Sequence, residues 1–230
     1  MKYLVSLLIG MLFGVALFAA GMYYNPFTGH VLVSPLAVLK DKHLDVTYTL
    51  VPGETILYTD NGESIVSTHP DRVAELWEPA IVDTRIAVVL LKGSRGSVVG
   101  LGIKFSTDSE QTALINSQAL VNSAWHVYLP GQGTLLVDQI ENYWPYLREI
   151  VVPARWSSGN NWKGSFFWIM TQGPGALGTA RVTGGTGTFA GMTSEAVESL
   201  TARAYSAING PVSMHGSLTI ILPKATIETE

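Results

Sequence analysis

The chain contains no cysteine. Disulfide scaffolds, thiolate nucleophiles and cysteine-ligated zinc or iron–sulfur sites are therefore excluded. Charge is scarce as well: Asp, Glu, Lys and Arg make up 14% of 230 residues, against about a quarter in an ordinary globular protein. The 14 basic and 18 acidic residues leave a net charge of -4, with no positive surplus for phosphates, so nucleic acid is not an expected partner. Low charge combined with 47% hydrophobic residues excludes an intrinsically disordered chain. His30, His43, His69, His126 and His215 are scattered without an HxH or HxxxH pattern, so neither a metal nor a cofactor is expected. There is no G-x-S-x-G nucleophile elbow. Gly185, Gly187 and Gly191 are spaced one residue too widely for the dinucleotide fingerprint, and no Gly-Lys-Ser/Thr follows, which argues against nucleotide binding.

Charge is wholly absent from Tyr3 to Tyr24, a run of mostly Leu, Val, Ile, Phe, Ala, Met and Gly. As a helix rising about 1.5 Å per residue, it spans a hydrocarbon layer of about 30 Å. Lys2 is the only charge in front of it, and Tyr23 and Tyr24 stand where an interfacial aromatic belt belongs. The expectation is a single-pass anchor over residues 1–25, its N-terminus cytoplasmic and the remainder on the periplasmic or extracellular side. A cleaved signal peptide is the alternative. It is less favoured because the apolar run is long, and Leu17/Ala19 and Phe18/Ala20 make poor small-x-small cleavage sites. Gly10 and Gly14 form a GxxxG pair through which a partner helix of a membrane complex would approach.

Residues 26–45 read as a stalk interrupted by Pro26, Gly29 and Pro35, and residues 46–230 as one domain. Short β-branched and aromatic runs alternate there with turn residues. Val46–Leu50 and Thr55–Thr59 flank Pro52-Gly53, Thr84–Leu91 and Ser97–Phe105 flank Gly93–Gly96, and Ala124–Leu129 and Thr134–Glu141 flank Pro130–Gly133. Ser165–Thr171, Glu195–Tyr205 and Val212–Leu222 supply further strands. This spacing without helical crossovers predicts a mainly β antiparallel barrel or sandwich. Two helical stretches are also expected. One is Pro70–Glu78; the other is capped by Thr107 and Glu110, unless Ala119–Leu129 is instead one continuous strand.

The most distinctive segment is Arg181-Val182-Thr183-Gly184-Gly185-Thr186-Gly187-Thr188-Phe189-Ala190-Gly191. A Gly-Gly-Thr-Gly-x-Phe block followed by a long strand, a turn and a final apolar strand resembles the allene oxide cyclase-like barrel superfamily, which includes the plant dirigent proteins. The likeness is best over Ser165–Leu222 and looser from Thr84. It implies an eight-stranded antiparallel barrel, often oligomeric, whose apolar cavity holds a reactive lipid or phenolic intermediate and directs its cyclisation or coupling. It assigns no polar residue of this chain to a catalytic role. Independently of the resemblance, adjacent glycines permit positive φ at a corner, and Phe189 is placed to plug a barrel end.

Five of the six Trp lie between Trp125 and Trp168, with Tyr128, Tyr143, Tyr146, Phe166 and Phe167 among them. They read either as an aromatic-lined pocket for a hydrophobic small molecule or as core and rim packing. Strand alternation puts His126 and Tyr128 on one face, and Asp138 and Glu141 on opposite faces. The expected ligand-binding set is His126, Tyr128, Glu141, Trp168, Arg181 and Arg203. The two arginines would neutralise a ligand carboxylate or bridge Glu195 or Glu198. A paired-carboxylate mechanism is not expected, because Asp138 and Glu141 diverge.

Overall fold

The computed structural model describes residues 2–24, 43–51, 55–60, 63–64 and 83–222. The predicted helix Pro70–Glu78 and most of the predicted stalk lie outside these residues. The N-terminal helix α1 (Lys2–Tyr23) contains an uncharged span, Tyr3–Gly21, none of it buried in the structure. Its length and apolarity suit it to cross a membrane, and a signal sequence has the same character.

Among the described residues twelve strands follow: β1 (His43–Thr49), β2 (Thr55–Asp60), β3 (Glu63–Ser64), β4 (Arg85–Lys92), β5 (Val98–Asp108), β6 (Leu120–Leu129), β7 (Gly133–Asn142), β8 (Asn161–Ile169), β9 (Thr171–Gly173), β10 (Ala180–Gly185), β11 (Ser194–Ser206) and β12 (Gly210–Ile221). Eight of them close an antiparallel barrel in the order β1-β12-β11-β10-β7-β6-β5-β4, with Thr47 opposite Lys92 sealing β1 to β4. The outer edges of three strands are shared. β11 pairs with β10 and then with β8, β7 pairs with β10 and then with β9, and β4 also pairs with β2. The predicted strand Ser165–Thr171 is thus two strands, because the chain leaves β11 at Ile169 and joins β7 at Thr171.

Side-chain alternation builds the interior. On β6, Ser123, Trp125, Val127 and Leu129 are buried, whereas Asn122, His126 and Tyr128 are exposed. One end of the barrel is filled by Val46, Val89, Leu91, Val127, Leu129, Leu135, Val137, Val182, Leu218 and Ile220, each fully buried aliphatic side chain contributing about 1.5–3 kcal/mol. Phe189 joins this cluster and closes that end. It arrives there through Gly187, whose φ of 61° and close approach to the Gln132 carbonyl leave no room for a side chain.

The other end, the mouth, is covered by a helical cap made of Trp144–Tyr146, Leu147–Val151 and Val152–Trp156. Pro145 is tolerated in its first turn, and the wide π winding over Leu147–Val151 precedes Pro153, which lacks an N–H. The Asn142 carboxamide starts the cap by accepting from Trp144 N at 3.0 Å. Ile150 of the cap packs with Phe166, Met170, Leu200, Ala202 and Met214 in a second cluster. The helix expected after Thr107 does not form. β5 continues to Asp108 in register with β6, leaving a single helical turn at Leu114–Asn116, and the continuous-strand alternative for Ala119–Leu129 is the one adopted.

Candidate functional site

Between the apolar end and the mouth, the barrel interior carries a charged cluster. Lys104 on β5 points inward, and its ammonium donates to Glu141 Oε1 at 2.7 Å, Glu198 Oε1 at 2.8 Å and Glu198 Oε2 at 3.0 Å. All three of its protons are thereby used. Glu198 also accepts from Trp125 Nε1 at 2.9 Å and from the Tyr48 hydroxyl and Gln139 amide in short contacts. Glu141 accepts from Ser123 Oγ at 2.6 Å and from Tyr143 OH at 3.4 Å. Thr171 Oγ1 links the surrounding shell, donating to Gln139 Oε1 at 2.9 Å and accepting from Glu198 N at 2.8 Å. The Lys104 ammonium also lies 5.3 Å from the Trp125 ring, its cross-strand neighbour.

Tyr48 reaches Glu198 only because of a gap in the strand between them. Going round the barrel, Tyr48 on β1 is opposite Gly216 on β12, and Gly216 is opposite Leu200 on β11. A Cβ at position 216 would fall within the Tyr48 ring and its hydroxyl. The missing side chain is therefore what lets the phenol lie across β12.

The two carboxylates are driven in opposite directions. Burial pushes Glu141 upward and the neighbouring Glu198 charge adds to it, more than Lys104 and Ser123 offset. Burial also acts upward on Glu198, but Lys104, Tyr48 and Trp125 outweigh it and hold this carboxyl below its ordinary range. Burial acts to lower Lys104, and the charges of Glu141 and Glu198 overcome it, leaving the amine well above its usual value. Burial, followed by the Glu198 charge, raises Tyr48 well above an ordinary phenol, so it remains a neutral donor. The arrangement ties Lys104 to both carboxyls, Glu198 being the more acidic of the two and Glu141 the less.

A partly enclosed cavity of about 180 Å³ lies on the mouth side of this cluster. Tyr48, Lys104, Trp125 and Glu198 form its floor; its walls include Tyr143, Tyr146, Met170, Leu200, Tyr205 and Met214. An apolar cavity of about 150 Å³ accommodates benzene, so this space takes one ring, with an ammonium and a phenol hydroxyl beneath it. Among the described residues no group of three or more His, Asp or Glu side chains converges on one point. Lys104 itself occupies the position between the carboxylates that a cation would take.

Of the residues singled out from sequence, Glu141 is in the cluster, and Trp168 packs half-buried against the second core cluster near the mouth. His126 and Tyr128 do share a face, but it is the outer one, since Trp125, Val127 and Leu129 take the interior. Arg181 and Arg203 also face outward; Glu198 faces inward and bonds Lys104 rather than either arginine. Glu195 is opposite Arg181 across the β10–β11 pair. Two carboxylates do meet, though they are Glu141 and Glu198 rather than Asp138 and Glu141. Gly10 and Gly14 have open space around them. Tyr48, Lys104, Gln139 and Glu198 carry no sequence signal as a set, although each occupies the inward parity of its strand. Neither known family models nor curated proteins match this chain.

Proposed function

We propose that the protein is a membrane-anchored barrel that binds a small hydrophobic or aromatic molecule in the mouth-side cavity and directs its cyclisation or coupling. The observation carrying this reading is the ring-sized cavity with aromatic walls and a Lys104–Glu198–Tyr48 floor. Its walls restrict the conformers that can react. The Lys104 ammonium, its protons held by the two glutamates, would act on a ligand oxygen through its charge, and the Tyr48 oxygen would accept from a ligand hydroxyl. Tyr143, which both lines the cavity and donates to Glu141, offers a proton route to the carboxyl behind it. The Gly184–Phe189 resemblance to allene oxide cyclase-like and dirigent-like barrels favours the same assignment. The anchor reading of α1 places the N-terminus in the cytoplasm and the barrel on the periplasmic or extracellular side, close to where hydrophobic ligands partition.

A second reading, a non-catalytic accessory subunit of a membrane complex, has its own support. The outer face of β4–β7 exposes Leu90, Phe105, Tyr128 and Leu136, whereas the outer face of β1 and β12 carries His43, Asp45, Thr47, His215, Ser217 and Thr219. Such an apolar face suits a docked chain or a second copy.

Thermal unfolding of the detergent-solubilised full chain with phenol or toluene tests the first reading. Phenol is expected to raise the midpoint more than toluene, as a ligand selective for the folded state does, and Lys104→Met is expected to abolish the difference. Native mass spectrometry of the same preparation separates the readings: a bound small molecule supports the first, a bound chain the second. No shift with either probe and no bound small molecule would refute ligand binding.

A further inference from the structure

The cap and α1 touch. The Tyr23 hydroxyl, at the end of the apolar span, donates to the Arg148 carbonyl in the cap at 3.0 Å, and the Tyr23 ring is 6.0 Å from that of Trp156. Tyr24 stacks edge-on against Tyr23 at 4.9 Å. If α1 crosses a bilayer, Tyr23 lies in the headgroup layer at its exit, where tyrosine and tryptophan concentrate. That layer is only several ångströms deep on each side of the hydrocarbon. A direct contact with Tyr23 therefore places the cap in or against it.

The end of the barrel carrying the cap has the surface chemistry for this position. Trp156 is 78% exposed and Ile208 75% exposed. The segments that carry them are joined: Ala207 N donates to the Asn160 carbonyl at 2.8 Å, which brings the β11–β12 turn to the segment leaving the cap. Exposed Arg155 stands on the cap and exposed Lys163 on β8, which leaves it, and Arg148 pairs with the acidic residue of the cap, Glu149. The exposed acids of this end, Asp108 and Glu110, stand at the β5–β6 connection. Large apolar side chains with basic neighbours are the composition of a surface that meets phospholipid headgroups. The opposite end, closed by Phe189 from within, presents Gly131, Gln132, Thr188 and Ala190, with Arg95 and the smaller Val98 at the neighbouring β4–β5 turn. Gly210 and Pro211, beside the Ile208 turn, line the cavity together with Tyr146 of the cap.

We infer that the mouth end of the barrel is seated on the surface of the bilayer that α1 crosses, with Trp156 and Ile208 in the headgroup layer, so that the cavity is loaded from the lipid rather than from water. This rests on the anchor reading of α1, and the experiment separates failure of that reading from failure of the seating. With no native cysteine, single-cysteine variants of the full chain carry one nitroxide each. The positions are Leu12→Cys in α1, Trp156→Cys and Ile208→Cys at the mouth, and Gln132→Cys and Ala190→Cys at the far end. In nanodiscs of phosphatidylcholine and phosphatidylglycerol, each label's collision rate is measured with oxygen, which concentrates in lipid, and with a water-soluble nickel chelate. Leu12 is expected to be inaccessible to nickel. Trp156 and Ile208 are expected to show an oxygen-to-nickel ratio several-fold above that at Gln132 and Ala190. Trp156→Cys and Ile208→Cys each remove part of the proposed contact, so a label at Asn209→Cys, exposed in the same turn as Ile208, decides if the two disagree. A lipid-like Leu12 with mouth labels as nickel-accessible as Gln132 overturns the seating alone. A nickel-accessible Leu12 overturns the anchor and the seating with it.

Discussion

Replacing Lys104 with methionine is the sharpest perturbation of the charged cluster. The substitution preserves most of the side-chain volume and deletes the ammonium that gives three hydrogen bonds to two carboxylates inside the barrel. Glu198 retains Tyr48, Trp125 and Gln139 as donors but loses its counter-charge. Removing one partner of a buried pair costs about 3–5 kcal/mol, because an uncompensated charge is left behind. For a chain of this size each kcal/mol is worth about 2–4 °C, so the midpoint is expected to fall by roughly 6–20 °C at neutral pH. Circular dichroism melting of the full chain in detergent measures it. Adding Glu141→Gln and Glu198→Gln to Lys104→Met removes the unpaired charges and is expected to restore most of the loss. The deficit of Lys104→Met should also shrink as pH falls and the two carboxyls take up protons. A loss below about 1 kcal/mol, the scale of an exposed ion pair, would refute the account of Lys104 as the cluster's charge-balancing centre.

Stability against pH should separate the two glutamates. Glu198, held below the unfolded value of about 4.3, contributes stability that is present above that value and lost as pH falls through its folded pKa; Glu198→Gln should flatten this acid limb. Glu141, raised above the same value, contributes stability that is full below it and lost as pH rises through its folded pKa; Glu141→Gln should flatten that limb. Melting midpoints across the pH range test both, and two variants with the unmodified chain's profile would contradict the assignment. Gly216→Ala should cost about 1–3 kcal/mol by overpacking against Tyr48, and Tyr48→Ala should absorb most of that cost. Additive losses in the double variant would show that the clash lies elsewhere.

The barrel was legible because each of its signals is local. Alternation along β6 and the glycine-containing turns at Gly93–Gly96 and Pro130–Gly133 specify strand, face and hairpin within a dozen residues. The cluster is not local. Tyr48 and Glu198 are 150 residues apart, and their meeting depends on β12 lying between β1 and β11 and on Gly216 within β12. Parity alone marks Lys104, inward with Gly100 and Gly102, and Glu198, inward with Ala196 and Leu200, but it cannot say which strands become neighbours. For the same reason sequence proximity points Glu198 to Arg181 and Arg203, whereas its partner in the fold is Lys104. The cap escaped notice because Pro145 and Pro153 interrupt a helical pattern in sequence, while the wide turn between them lets the chain stay helical.

The axial order of the interior bears on why charge is kept inside at all. Aliphatic packing and Phe189 occupy the end away from the cap, and the cap with its own apolar cluster covers the mouth. Lys104, Glu141 and Glu198 lie between them, where hydrophobic side chains of similar volume would be neutral or more stabilising. Stability alone therefore gives little reason to retain the cluster. Nor is it sealed within packing atoms, since Lys104, Glu198 and Tyr48 border a cavity that is walled by both the cap and the barrel. A saturated Glu198 fixes the Lys104 ammonium in place, and Tyr143 connects Glu141, the carboxyl that burial and the Glu198 charge push upward, to the cavity. A fixed cation, a neutral phenol and a carboxyl with a raised pKa at the base of a ring-sized space are what a bound oxygen-bearing ring would use, and packing requires none of them.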